Sequence, residues 1–166
     1  GYDVFAKTIN RILNKYPNWK AKIIGDEKRE KIHLKHKNAD ILGFLPHEKV
    51  LKIFKKTSIA IACSRWEEPF GRTSLEASAS GCAVIITNKG GLPETVTNAK
   101  ILNELNVYNL EKVIKSLIDN KSLRKEFQKL SIQNFYLTHE YVTKMIDDYR
   151  DNKLKFHTGF FTRKSN

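Results

Sequence analysis

Four segments follow one another without a break: Ser58-Ile-Ala-Ile-Ala-Cys63, then Ser64-Arg-Trp-Glu-Glu-Pro-Phe-Gly71, then Arg72-Thr-Ser-Leu-Glu-Ala-Ser-Ala-Ser80, then Gly81-Cys-Ala-Val-Ile-Ile86. The first and last are apolar on successive residues, the pattern of strands whose two faces are both covered by helices in a parallel sheet. Arg72–Ser80 suits a helix, and Gly81 stands where a helix is commonly closed by a residue in left-handed conformation. Strand, loop, helix and strand in this order form the unit of an open α/β sheet. Its first loop leaves the carboxyl end of a strand, where such sheets bind ligands.

The flanks continue the alternation. Upstream, Asp3–Tyr16 places Val4, Phe5, Ile9, Ile12 and Leu13 on one helical face, with Asp3 as N-cap and Pro17 as terminator. Lys20–Gly25 and Ala39–Leu45 read as strands, and His47–Lys56 as an amphipathic helix. Asp26–Asn38, between those strands, is charged, with room for a helical turn or two around Ile32. Downstream, a weaker strand around Lys100–Leu102 precedes three stretches of helical period: Leu110–Ile118, Leu123–Phe135 and Glu140–Leu154. The expected architecture is α/β: a Rossmann-like open parallel sheet over residues 1–137, then a C-terminal helix and basic, aromatic tail over 138–166.

Composition narrows the function classes. The 166 residues carry 30 Lys and Arg against 18 Asp and Glu, a net charge of +12, which favours polyanionic partners. No strand platform of interleaved aromatics and Arg is present, nor a helix-turn-helix pattern, so nucleic acid is not the expected partner. The longest apolar runs are strand-sized, well short of the roughly 20 residues that span a bilayer. Cys63 and Cys82 sit in apolar runs and read as buried thiols of a reducing compartment. The five histidines lack ligand spacing, so His47 reads as a surface residue and no metal or other cofactor is expected.

The chemistry concentrates after Cys63. Pro69 and Gly71 hold the loop out of helix, and the helix opening at Arg72-Thr73-Ser74 offers unpaired N–H groups to an anion, beside two hydroxyls and a guanidinium. Glu68 and Glu76 flank this start. Carboxylates repel phosphate but accept hydrogen bonds from sugar hydroxyls. Phosphate donors between two hydroxyl acceptors suit a nucleotide sugar: ribose, diphosphate and hexose.

Glu68-Pro69-Phe70-Gly71, Leu75-Glu76-Ala77, Gly81-Cys82-Ala83-Val84-Ile85 and Gly90-Gly91-Leu92-Pro93-Glu94 together resemble the donor-site signature of glycosyltransferase family 4. Gly1-Tyr2-Asp3, Ile23-Ile24-Gly25 and Ile41-Leu42-Gly43-Phe44 agree in order and spacing, and the resemblance covers roughly residues 1–117. It implies the C-terminal half of a GT-B fold and retaining, metal-independent transfer from a UDP-, GDP- or ADP-sugar to a glycan or glycolipid. Carried over residue by residue, Glu68 would stabilise the reacting donor sugar, and Pro69, Phe70 and Gly71 would line that sugar's site. Arg72, Thr73 and Ser74 would bind the diphosphate, Glu76 the ribose, and Gly43 with Phe44 the base. Gly90 and Gly91 would shape a turn.

The same resemblance implies three parts not encoded here: a central strand ahead of Gly1, the Arg and Lys that follow it, and an N-terminal acceptor domain. The expectation is a donor-binding half, inactive alone, with a gap in its sheet. It implies polysaccharide or lipopolysaccharide assembly, in the cytoplasm or peripherally at an anionic membrane surface. Alternatives are a catalytically dead sugar-nucleotide-binding domain, or another GT-B enzyme such as a nucleotide-sugar 2-epimerase or a glycosidic phosphorylase.

Overall fold

The computed structural model describes residues 1–25 and 34–161, with side chains to residue 154. Its elements run α1 (Tyr2–Lys15), β1 (Ala21–Ile23), β2 (Ala39–Ile41), α2 (His47–Phe54), β3 (Ile59–Ala62), α3 (Arg72–Ala79), β4 (Ala83–Thr87), β5 (Ala99–Leu102), α4 (Val107–Asp119), α5 (Lys121–Gln133) and α6 (His139–Phe161). Residues 1–135 form one compact unit and 136–166 a second. Within the second, Tyr136 and Tyr141 meet edge to face at 5.0 Å, before and within the first turns of α6.

Among the described residues all strand pairs are parallel, in two sheets: β1 with β2, and β3-β4-β5 with β4 central. Every residue of β4 is buried. Its side chains alternate between two cores, as the pleat requires. Ala83 and Ile85 join Ile9, Ile12, Leu13, Leu110, Ile114 and Leu117 from α1 and α4. Val84 and Ile86 join Ala60, Ala77 and Leu92 on the other face. This double coverage explains the continuous apolar run read in the sequence.

Side chains fix the helix ends. Asn106 accepts from the Asn109 N–H at 2.8 Å to start α4, and Asn120 accepts from Leu123 N–H at 2.8 Å to start α5. The guanidinium of Arg124 donates to the last carbonyls of α4, Leu117 and Ile118. Asp3 is not the N-cap of α1: Gly1 is, and Asp3 lies in the first turn, paired with Arg65 at 2.5 Å. The second strand is shorter than the sequence suggests, because Gly43 turns the chain at φ 62° while its carbonyl accepts from Gly25 N–H at 2.9 Å. A 3-10 turn at Leu92–Thr95, unforeseen from periodicity, buries Leu92 and Thr95. α6 extends beyond the expected Leu154 to Phe161. Of the charged stretch 26–38, residues 26–33 lie outside the described residues, as does 162–166 of the tail.

Replacing Ile85 by Ala should lower unfolding free energy by about 3 kcal/mol, through lost burial and a cavity that both helix layers resist closing. The same change at half-exposed Ile101 should cost under about 1 kcal/mol. Urea denaturation of the two variants checks the contrast.

Candidate functional site

Parallel strands bring their carboxyl ends to one edge, and there the loops after β1, β2 and β3 converge. A cleft of about 780 Å³ opens at this edge and runs inward, where Ile9, Ile12, Ile59 and Ile61 line it. Its rim includes Gly25 after β1, Phe44 and His47 after β2, and Arg72, Thr73, Ser74 and Glu76 of α3. Glu68, Pro69, Phe70, Gly71 and Gly43 do not line it. Thus the sequence-expected ribose and diphosphate residues meet around one hollow with Phe44, whereas the expected hexose residues occupy the adjoining loop.

The start of α3 is built by backbone conformation. Gly71 caps it at φ 93°, and a Cβ there would lie 2.6 Å from Leu92 Cδ2. Arg72 and Thr73 are exposed beside the free N–H groups of this first turn. Ser74 differs from expectation. Its hydroxyl is buried, 2.7 Å from the Gly71 carbonyl and 2.7 Å from Thr95 Oγ1, which itself donates to Leu92 O at 2.8 Å. The two hydroxyl protons are shared among the Gly71 carbonyl, the Leu92 carbonyl and the facing hydroxyl, so Ser74 packs α3 against the 3-10 turn and offers phosphate only its backbone. The Ser74 hydroxyl is therefore not the phosphate ligand that the sequence suggests.

The Glu76 carboxylate, 18 % exposed, points to the cleft rim, where Oε1 lies 3.0 Å from His47 Nε2 and 3.3 Å from Arg72 Nη2. Sequence reasoning missed His47. The usable signal was positional: it opens the helix after β2, at the same sheet edge as the opening of α3. Phe44 is 82 % exposed, an aromatic face free to stack against a planar ligand.

Glu67, also missed, fastens the loop. Its carboxylate accepts from Gly90 N–H at 2.6 Å and pairs with Lys89 at 3.1 Å, while Gly91 N–H donates to Glu68 O at 2.7 Å. A Cβ on Gly90 would lie 2.3 Å from Glu68 O, and one on Gly91 2.9 Å from Pro69 O. The glycine pair therefore shapes a turn that lets two loops touch, as the sequence suggested. At the root of the loop, buried Thr87 accepts from Ser64 N–H and donates to Ser64 O. Among the described residues, no group of three His, Cys, Asp or Glu is disposed to hold a metal ion.

Gly71→Ala should destabilise the chain by about 1–3 kcal/mol, through strain at positive φ and collision with Leu92; thermal melting reads it. Lys89 and the Gly90 N–H hold the Glu67 carboxyl below the usual glutamate range. A folded pKa below the unfolded one contributes stability that is complete above the unfolded value, about 4.3, and is lost as pH falls through the folded value. The Gly90 amide resonance should therefore titrate below about pH 4.3 and become insensitive to Glu67 chemistry in Glu67→Ala, as NMR can follow.

The family model "Glycosyl transferases group 1" matches residues 1–133. The chain is 26% identical over 157 residues to the phosphatidylinositol N-acetylglucosaminyltransferase GPI3 subunit of Saccharomyces cerevisiae, covering 89% of this chain and 33% of that protein. It is 32% identical over 117 residues to an uncharacterised 42.6 kDa protein in the cps region of Klebsiella pneumoniae, covering 68% and 28%. The chain thus spans about a third of the curated relatives it matches. Among solved structures, the C-terminal domain of the glycosyl transferase group 1 family protein LpcC from Francisella tularensis superposes with a TM-score of 0.68 at 25% identity, over 78% of this chain and 74% of that one. HepE from Anabaena, crystallised with UDP and glucose, shares the fold at a TM-score of 0.70 and 19% identity, over 92% and 45%. The α/β sheet with its carboxyl-edge cleft is the Rossmann-like C-terminal domain of a GT-B fold, and the chain belongs to the glycosyl transferases group 1 family.

Proposed function

We propose that this chain is the nucleotide-sugar-binding half of a retaining, metal-independent glycosyltransferase of family 4, acting on a glycan or glycolipid acceptor. The observation that carries the reading is the convergence of Glu76, the α3 N-terminus with Arg72 and Thr73, and Phe44 on one cleft. Glu76 accepts hydrogen bonds from the ribose hydroxyls, exchanging its contacts with His47 and Arg72 for them. The backbone N–H groups at residues 72–74 and the Arg72 guanidinium stabilise the diphosphate as negative charge builds on the leaving group. Phe44 stacks on the base, with the Gly43 turn presenting it.

Glu68 is assigned to the donor hexose, where a carboxylate offsets positive charge as the bond to phosphate breaks, with Pro69, Phe70 and Gly71 around the sugar. That assignment is supported by the motif and by the loop's attachment at the carboxyl edge. The HepE complexes with UDP and with UDP-glucose support a uridine nucleotide as the first donor to test. The GPI3 relative, whose name specifies a phosphatidylinositol acceptor, and the net charge of +12 support work at an anionic membrane face; no helix among the described residues is long and apolar enough to cross the bilayer. The K. pneumoniae relative from the cps region supports polysaccharide assembly. The second catalytic half is supplied by polypeptide beyond this third of its relatives, so the 166 residues bind donor without transferring its sugar.

Calorimetry with UDP-, GDP- and ADP-glucose should give saturable binding to one of the three, unchanged by EDTA. Glu76→Ala should weaken it by about 1–3 kcal/mol, the cost of leaving the ribose hydroxyls unpaired. Equal affinity for Glu76→Ala would sink the ribose assignment. Release of nucleoside diphosphate by the 166-residue chain on addition of acceptor would show that it transfers sugar unaided.

A further inference from the structure

In the free chain the Glu76 carboxylate is already engaged, and unevenly. Its Oε1 faces both His47 Nε2 at 3.0 Å and Arg72 Nη2 at 3.3 Å, while Oε2 has no partner among the described residues. The two contacts differ in kind. Arg72 lies one turn away on α3, at the spacing where any helix pairs its own surface charges. His47 is the first residue of α2, so its contact runs from one helix of the rim to another.

The imidazole therefore stands where a ligand of Glu76 has to arrive. Ribose offers two neighbouring hydroxyls, and a carboxylate that takes one on each oxygen needs both oxygens open. Only Oε2 is open. The second hydroxyl has to displace the donors on Oε1. Arg72 has the diphosphate to turn to, whereas His47 gains no assigned partner when it leaves.

Charge on the ring decides how strongly it resists. Histidine gains or loses its proton between about pH 5 and 8. An imidazolium beside a carboxylate is an ion pair; a neutral ring is not. Among the described residues Lys20, Lys22, Lys56 and Arg72 also line the cleft, and Glu76 is its one acid. The attraction of the cleft for an anion thus has four other cationic sources, while the positive charge of His47 falls on Glu76. On its own helix His47 is followed by Glu48 and Lys49, both exposed and neither paired with it.

We propose that His47 is an internal, proton-dependent occupant of the ribose site, an inference that rests on the assignment of Glu76 to ribose above. Charged, it holds Glu76 and opposes the nucleotide; neutral, it releases the carboxylate. Proton and nucleotide sugar compete, so each lowers the affinity of the other by the same factor. Affinity rises as pH rises through the histidine range.

The test is calorimetry on the 166-residue chain with UDP-, GDP- and ADP-glucose at about pH 5.5 and 8, a span in which the diphosphate of these donors stays fully ionised. Wild-type affinity should be about two- to fivefold weaker at the acid end, the effect of a partly exposed ion pair. His47→Gln and His47→Ala should bind equally at both pH values, at the wild-type alkaline affinity or above, with melting curves verifying that each is folded. A flat wild-type profile would overturn the proposal, as would a pH dependence that survives in both variants. Affinity that falls with rising pH in the wild type alone would make His47 a ligand of the nucleotide, not its competitor, and would overturn it too. These failures leave nucleotide binding standing. Absence of binding by all three donors, or binding indifferent to Glu76→Ala, removes the ribose assignment itself, and the competition with it.

Discussion

Burial of β4 between two helix layers is the constraint on which the other features depend. An all-apolar strand has no face to show to water, so α1 and α4 must cover one side and α3 the other. The helices that cover both faces also connect parallel strands, and parallel strands place their carboxyl ends at the same edge. The cleft is the geometric result. Its rim residues lie far apart in sequence, from Gly25 to Glu76, but share that edge because the strands leading to them point one way.

The rim then relies on contacts that are structural rather than ligand-directed. Ser74 and Thr95 tie α3 to the 3-10 turn, Glu67 ties the loop after β3 to the glycine turn, and Thr87 holds the root of that loop. These bonds hold the α3 N-terminus in place, so its N–H groups are preorganised for the diphosphate proposed to bind there. Interactions fixed in advance cost no reorganisation on binding, so polar side chains turned toward the protein itself would favour the binding proposed for the rim.

Much of the fold was legible in the sequence because its periodicities are strong. The apolar runs 58–63 and 82–86 marked β3 and β4, and Gly81 marked the end of α3. That Glu76, Arg72, Thr73 and Phe44 share one edge was legible because helix starts and loops after buried strands lie at a known edge, and all four line the one cleft. Ser74 was misread at the level of its side chain: a hydroxyl at a helix start serves a ligand or the neighbouring turn, and only Thr95, 21 residues away, decides which. His47 and Glu67 were illegible for the same reason, since their partners Glu76 and Gly90 are distant in sequence. The 3-10 turn was hidden because four residues carry no measurable period.

The two thiols bear on how this molecule can be handled. Cys82 is fully buried, its Sγ 3.3 Å from Phe54 O, and burial pushes its pKa up to about 12; burial raises that of half-buried Cys63 as well. Nucleophilic attack by sulfur needs the thiolate, so at neutral pH both native cysteines are poor targets for alkylating probes. A cysteine introduced on an exposed surface would therefore take up a fluorophore or spin label in preference to either, with the native pair left in place.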